Sequence, residues 1–208
     1  MPTTAIRKTG MGEPAWQLAE QFPPQGHWDE FEYLALDHAV ENMRTIELVD
    51  GRLEFLPAMT RQTARIVGAL FDALLEFNRA RRAGEVFFAG AKTKLREGEI
   101  RIPDILFALK SRRHNEEYFF GADLVMEVVG KSSIDRHRDL VDKRKAYAKA
   151  GTREYWTVDP ALKRVEVLKL SGKKYVSHGV FQKGDTAASV LLKGFELDVG
   201  SALAGLKQ

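Results

Sequence analysis

Three charged side chains in this 208-residue chain occupy positions where charge is costly. Asp104 lies just inside the apolar run Ile102-Pro103-Asp104-Ile105-Leu106-Phe107. Glu127 lies in the middle of Asp123-Leu124-Val125-Met126-Glu127-Val128-Val129, and a helix read over Asp139 to Gly151 carries Lys143 beside its apolar stripe. Strand alternation puts Ile102, Asp104 and Leu106 on one face, and Asp123, Val125, Glu127 and Val129 on one face of the later run. A carboxylate buried among such neighbours is unfavourable unless it is paired or bound to a metal. Two carboxylates on adjacent strands suit Mg²⁺, a hard cation that takes oxygen ligands and keeps several waters. A metal held there polarises a phosphate oxygen and acidifies a water, while a nearby lysine offsets charge in the transition state. These are the parts of a metal-dependent phosphodiester-cleaving site.

Each residue also has a plainer role. Asp104, after Pro103, suits a strand start that makes turn hydrogen bonds. Glu127 suits a structural ion pair, with Arg101 as a partner. On a helical wheel Leu140, Val141, Tyr147 and Ala148 define the apolar side, and both Lys143 and Arg144 border it. The wheel does not choose between them, and a lysine there can bury its stem while its charge stays in solvent. Asp123 reads as a strand-mouth residue, Asp139 as a first-turn charge matched to the helix dipole, and Ser132 or Ser133 as a cap. Other motifs fail: Gly130-Lys131-Ser132 lacks the earlier glycine of a phosphate-binding loop, and Val125 stands in its place. The five histidines show no metal-binding spacing, and there is no Gly-x-Ser-x-Gly elbow.

The elements that would position these groups follow from the pattern around them. Residues 1–27 are rich in Pro, Gly and Gln and read as an arm. Asp29 to Leu36 reads as one or two helical turns. Two apolar runs flank Asp50-Gly51, a strong hairpin signal, and alternation sends Glu47 and Glu54 to the solvent face. Ile66, Val67, Leu70, Phe71, Leu74 and Leu75 recur at three and four, giving an amphipathic helix over Gln62 to Arg82. Glu85 to Leu95 reads as one strand, followed by strands around Asp104 and Glu127. The helix ending at Gly151 then lets Glu154–Asp159 return to the sheet as a crossover. Arg164–Leu170, Tyr175–Phe181 and a segment within Ala187 to Ala204 add strands, with a short terminal helix. The result is an α/β fold with a mixed sheet flanked by helices.

Composition narrows the class. The chain is 44% hydrophobic and 29% charged, which suits a folded domain. Having no cysteine, it has no disulfides or thiolate metal sites, in keeping with a cytoplasmic protein. No apolar run approaches a membrane span, and the N-terminus lacks the apolar core of a secretory signal. A net charge of +3 and a pI near 9.0 are compatible with a nucleic-acid partner but too mild to demonstrate one.

Pro103-Asp104, the run from Asp123 to Ser133, Asp139-x-x-x-Lys143-x-x-x-Tyr147 and Gly151-Thr152-Arg153-Glu154-Tyr155-Trp156-Thr157-Val158-Asp159-Pro160 together resemble the Uma-two family of endonucleases. Ile46-Glu47-Leu48-Val49-Asp50-Gly51 and Arg65-Ile66-Val67 also fit its pattern, and the similarity runs over roughly residues 28 to 200. The family is placed in the PD-(D/E)XK nuclease superfamily. The resemblance implies a restriction-endonuclease-like core with an N-terminal hairpin and additional C-terminal strands, formed by residues 28–208 as a single domain after the arm. It implies Asp104 and Glu127 as the metal ligands, Mg²⁺ (with Mn²⁺ as a substitute) as the cofactor and DNA as the substrate. The superfamily lysine usually lies two residues after the second acid, where this chain has Val129; the resemblance moves its role to Lys143. It also gives Glu47 a supporting position. The chain departs from the family pattern at Gly130-Lys131 (commonly Ser-Pro), at Thr63 (commonly histidine) and at Lys92 (often acidic). A catalytically weak nucleic-acid-binding module, or an interaction module that dimerises through the arm and exposed strands, remains open as an alternative.

Overall fold

A computed structural model describes residues 22–39, 45–88 and 90–204. In chain order the elements are α1 (Glu30–Ala39), β1 (Ile46–Val49), β2 (Arg52–Phe55), α2 (Arg61–Arg81), β3 (Gly84–Phe88), β4 (Thr93–Arg96), β5 (Glu99–Arg101), β6 (Ile105–Leu109), β7 (Phe119–Phe120) and β8 (Leu124–Val128). There follow α3 (Ser133–His137), a π-helical turn (Arg138–Asp142) and α4 (Lys143–Lys149), which run on without a break. The chain continues with β9 (Glu154–Asp159), β10 (Arg164–Ser171), β11 (Lys174–Gln182), β12 (Thr186–Ala188), β13 (Glu196–Asp198) and α5 (Val199–Leu203). Two compact units result: Met1–Ala58 with Arg96–Arg101, and Met59–Leu95 with Ile102–Gln208.

In the first unit β1 pairs antiparallel with β2 and with β5. Asp50 and Gly51 take φ values of 51° and 71°, the two positive angles that a two-residue hairpin turn needs. The turn also anchors the chain before α1: the N–H groups of Gly26 and Trp28 both donate to the Gly51 carbonyl. Of the arm expected over 1–27, residues 1–21 lie outside the described residues. The expectation that Glu47 faces solvent is wrong. Glu47 is fully buried and receives Arg101 Nη1 at 3.0 Å, and Arg101 also binds Glu99 at 3.0 Å and half-buried Glu54 at 3.4 Å. Alternation assumes one wet face; here an arginine on β5 takes up the glutamate's charge instead. Burial opposes the guanidinium's charge, but Glu47 and Glu99 outweigh it and hold its pKa above the ordinary value.

The second unit is built on a six-stranded sheet in the order β11-β10-β9-β8-β6-β3. Its pairs are antiparallel except β8 with β9, which the helical segment 133–149 connects as a crossover. One face carries Ile105, Phe107, Leu124, Met126, Trp156 and Val158, and packs with Ile66, Val67, Leu70 and Leu74 of α2 and with the C-terminal residues Phe195, Leu197 and Val199. The opposite face carries Leu106, Val125 and Tyr155, and clusters with Tyr147 of α4. Period-2 alternation sorts these residues onto the two faces. α2 ends because Arg82 turns left-handed at φ 50°, with Asn78 accepting from the amides of Ala83 and Gly84. The single strand expected over 85–95 is instead β3 and β4, separated by a break that contains Gly90 at φ 100°.

Candidate active site

Asp104 and Glu127 reach the same region from adjacent strands. β6 and β8 pair Ile105 with Met126 and Leu106 with Val125, so one further step sets Asp104 opposite Glu127. Both lie on the face that holds Leu106, Val125 and Tyr155. Asp104 is half-buried, and its Oδ2 accepts from the Val128 amide at 2.7 Å, which orients the carboxylate. Glu127 is 3% exposed, and Lys143, also 3% exposed, donates from Nζ to both of its oxygens at 2.9 and 3.0 Å. The partner of Glu127 is therefore Lys143; the guanidinium of Arg101, the alternative considered from sequence, is bound by Glu47, Glu99 and Glu54. Arg144 is only half-buried.

The route by which Lys143 reaches Glu127 runs through the π turn. The Lys143 N–H bonds to the Arg138 carbonyl five residues back, where an α-helix would use Asp139. The extra residue puts positions before the turn about 100° out of phase with those after it. Asp139, Lys143, Tyr147 and Ala148 are buried, while Leu140 and Val141 are only half-buried, so the apolar side is not the one a regular wheel draws. Asp139, read as a first-turn charge, is instead buried inside a helical segment that begins at Ser133. Its Oδ2 accepts from the Gly130 amide at 3.0 Å, its Oδ1 from Arg138 Nε at 3.2 Å, and its carbonyl from the Tyr155 hydroxyl at 2.8 Å.

Tyr155 is the residue that sequence reasoning missed. It is fully buried between the rings of Tyr147 and Tyr175, each 5.6 Å away. Burial, then the charges of Glu127 and Asp139, push its pKa well above the ordinary phenol value, so the hydroxyl keeps its proton and acts as a donor. In the sequence it stood only as one residue of the Gly151–Pro160 run, with no role of its own, two positions before Thr157, which pairs with Glu127. Asp123, read as a strand-mouth residue, accepts from the Leu109 amide at 2.9 Å and from Arg112, which occupies it structurally. Ser132 caps α3 through the Asp135 amide.

The donor set fits a hard divalent cation. It offers carboxylate oxygens from two strands, and Lys143 already balances the charge of the buried one. Among the described residues no group of three or more His, Cys, Asp or Glu is arranged to hold a metal. A metal at Asp104 and Glu127 would thus draw most of its ligands from water and from substrate oxygen, as Mg²⁺ does readily. No helix among the described residues is long and apolar enough to cross a membrane.

No curated protein sequence matches the chain. Among solved structures, it is similar to a protein titled "a putative nuclease belonging to DUF820" from Anabaena variabilis ATCC 29413. Identity is 16%, the match covers 85% of this chain and 98% of that one, and the TM-score is 0.68. At that identity the likeness carries the fold, which is restriction-endonuclease-like. The model of the Uma2 family, described as "Putative restriction endonuclease", matches residues 28–200. That span runs through the strands that bring Asp104 and Glu127 together and the helix that delivers Lys143, and the chain belongs to the Uma2 family.

Proposed function

We propose that the chain is a divalent-metal-dependent DNA endonuclease, with Asp104 and Glu127 holding Mg²⁺, or Mn²⁺ in its place, and Lys143 assisting. The observation that carries this reading is the convergence of two carboxylates from adjacent strands with a buried ammonium on both oxygens of one of them. When bound, Mg²⁺ supplies a Lewis acid for a phosphate oxygen and lowers the pKa of a water. The chain's own groups do the positioning. The Val128 amide fixes one oxygen of Asp104. Lys143 stands beside Glu127 with a positive charge that can meet a phosphate oxygen as charge builds there, or can orient the attacking water. The chain then acts as a single restriction-endonuclease-like domain after the N-terminal arm.

The test is cleavage of supercoiled and linear DNA by purified protein with Mg²⁺ or Mn²⁺, against an EDTA control. Asp104→Asn and Glu127→Gln are each expected to lower the rate by about 100-fold or more, with folding retained. Intact DNA in the presence of folded, metal-bound protein would sink the enzyme reading. Undiminished cleavage by Glu127→Gln would remove that residue from the mechanism. A second reading, a catalytically silent nucleic-acid-binding module, is favoured by one observation: Lys143 already satisfies the charge of Glu127. It predicts salt-dependent DNA binding without cleavage.

A further inference from the structure

We infer that Tyr155 is a positioning residue: its hydroxyl holds the π turn that presents Lys143 to Glu127. In a continuous α-helix the Lys143 amide would donate to the Asp139 carbonyl. Here that amide goes one residue further back, to Arg138, and the Tyr155 hydroxyl donates to the Asp139 carbonyl at 2.8 Å. The side chain of the same residue is tied separately, through Oδ2, to the Gly130 amide just beyond β8. Asp139 is thus fixed at two points, to the end of the strand that carries Glu127 and to the neighbouring strand β9. One turn later Lys143 reaches both Glu127 oxygens. A π turn closes a poorer hydrogen-bond ring than an α turn and persists where its surroundings hold it. The hydroxyl supplies such a hold at the carbonyl whose usual amide donor has moved. The neighbouring Tyr175 belongs to the same ring stack, but its hydroxyl donates to the Thr152 carbonyl, outside the turn.

The importance of this link for cleavage rests on the role proposed for Lys143, whereas the link itself does not. Tyr155→Phe keeps the ring and removes only the donor. With ¹⁵N-lysine-labelled protein, the buried Lys143 ammonium is expected to give a solvent-protected ¹H–¹⁵N signal, assigned by its loss in Lys143→Met. Tyr155→Phe should lose that signal while unfolding cooperatively, and Tyr175→Phe should keep it. Deleting Leu140, which takes one residue out of the turn, approaches the link from the helix and should lose the signal even with Tyr155 present. Retention of the signal in Tyr155→Phe or in the Leu140 deletion, or equal loss in Tyr175→Phe, would overturn the inference. On DNA, Tyr155→Phe should lower kcat by about 100-fold with little change in KM, the signature of a displaced reacting group. If the signal is lost but cleavage is unaffected, the positioning link stands and the catalytic role of Lys143 falls. If the parent protein cuts no DNA, the ammonium signal still decides the link.

Discussion

Lys143→Met offers a direct measure of how much the Glu127 pair matters to the fold. Methionine approximates the length and volume of the lysine stem but leaves Glu127, 3% exposed, without the two hydrogen bonds it accepts from Nζ. Removing one partner of a buried pair leaves an uncompensated charge and costs about 3–5 kcal/mol. For a chain of this size each kcal/mol shifts the melting temperature by about 2–4 °C, so a fall of roughly 6–20 °C is expected. Thermal and urea unfolding at pH 7 in EDTA would read it. The double variant Lys143→Met/Glu127→Leu removes both charges and should recover much of the loss, because an apolar replacement of a buried pair is often close to neutral. A single-variant loss below about 1 kcal/mol, the range of exposed pairs, would refute the buried-pair reasoning. So would losses that simply add in the double variant.

Asp159 accepts two hydrogen bonds from Arg136 and one each from the Ala161 and Leu162 amides. Burial pushes its pKa up, but Arg136 and those amides outweigh burial and hold it below the ordinary carboxylate value. Its contribution is therefore complete above the unfolded pKa of about 3.9 and is lost as pH falls through the lower folded value. Asp159→Asn should cost about 1–3 kcal/mol at pH 7, and the gap to the parent should narrow below pH of about 4 in urea titrations. Arg101→Leu takes the guanidinium away from buried Glu47, while buried Glu99 keeps Arg96 Nε at 2.9 Å, and should cost about 3–5 kcal/mol by the same measurement. Gly84→Ala would drive a Cβ into the Ala108 carbonyl oxygen, a backbone atom that cannot yield easily. A loss of about 1–3 kcal/mol is expected from chemical denaturation.

The features visible in the sequence are those set by local periodicity. The Asp50-Gly51 turn, the stripe of α2 and the shared face of Asp104 and Leu106 follow from spacings that neighbouring elements leave intact. Lys143 was different. A regular wheel cannot separate it from Arg144, because the π turn resets the helical phase upstream, and the hydrogen bond associated with that turn comes from Tyr155 on another element. Glu47 was misread for a related reason. Strand alternation describes a chain and its two faces but cannot report that Arg101, 54 residues on, will take up the charge. The same limit hid Glu154, whose buried carboxylate accepts from Trp156, Ser189 and the amides of Val190 and Leu191.

The helical connection from β8 to β9 has a kinetic consequence. Within the strand–helix–strand segment 127–155, Lys143 reaches Glu127 and Tyr155 reaches Asp139 across 16 residues each, although β8 and β9 themselves pair across 30. Short closures are entropically cheap and favour fast formation. Asp104 joins from 23 residues before Glu127, through the β6–β8 pairing. The segment is therefore expected to serve as a folding nucleus. Leu124→Ala, at the start of β8, should then chiefly slow refolding in stopped-flow experiments, and an effect confined to the unfolding rate would argue that the crossover forms late. On this view the residues proposed for chemistry also help to start the fold, so a change at Lys143 or Tyr155 would be felt during folding as well as in the finished protein.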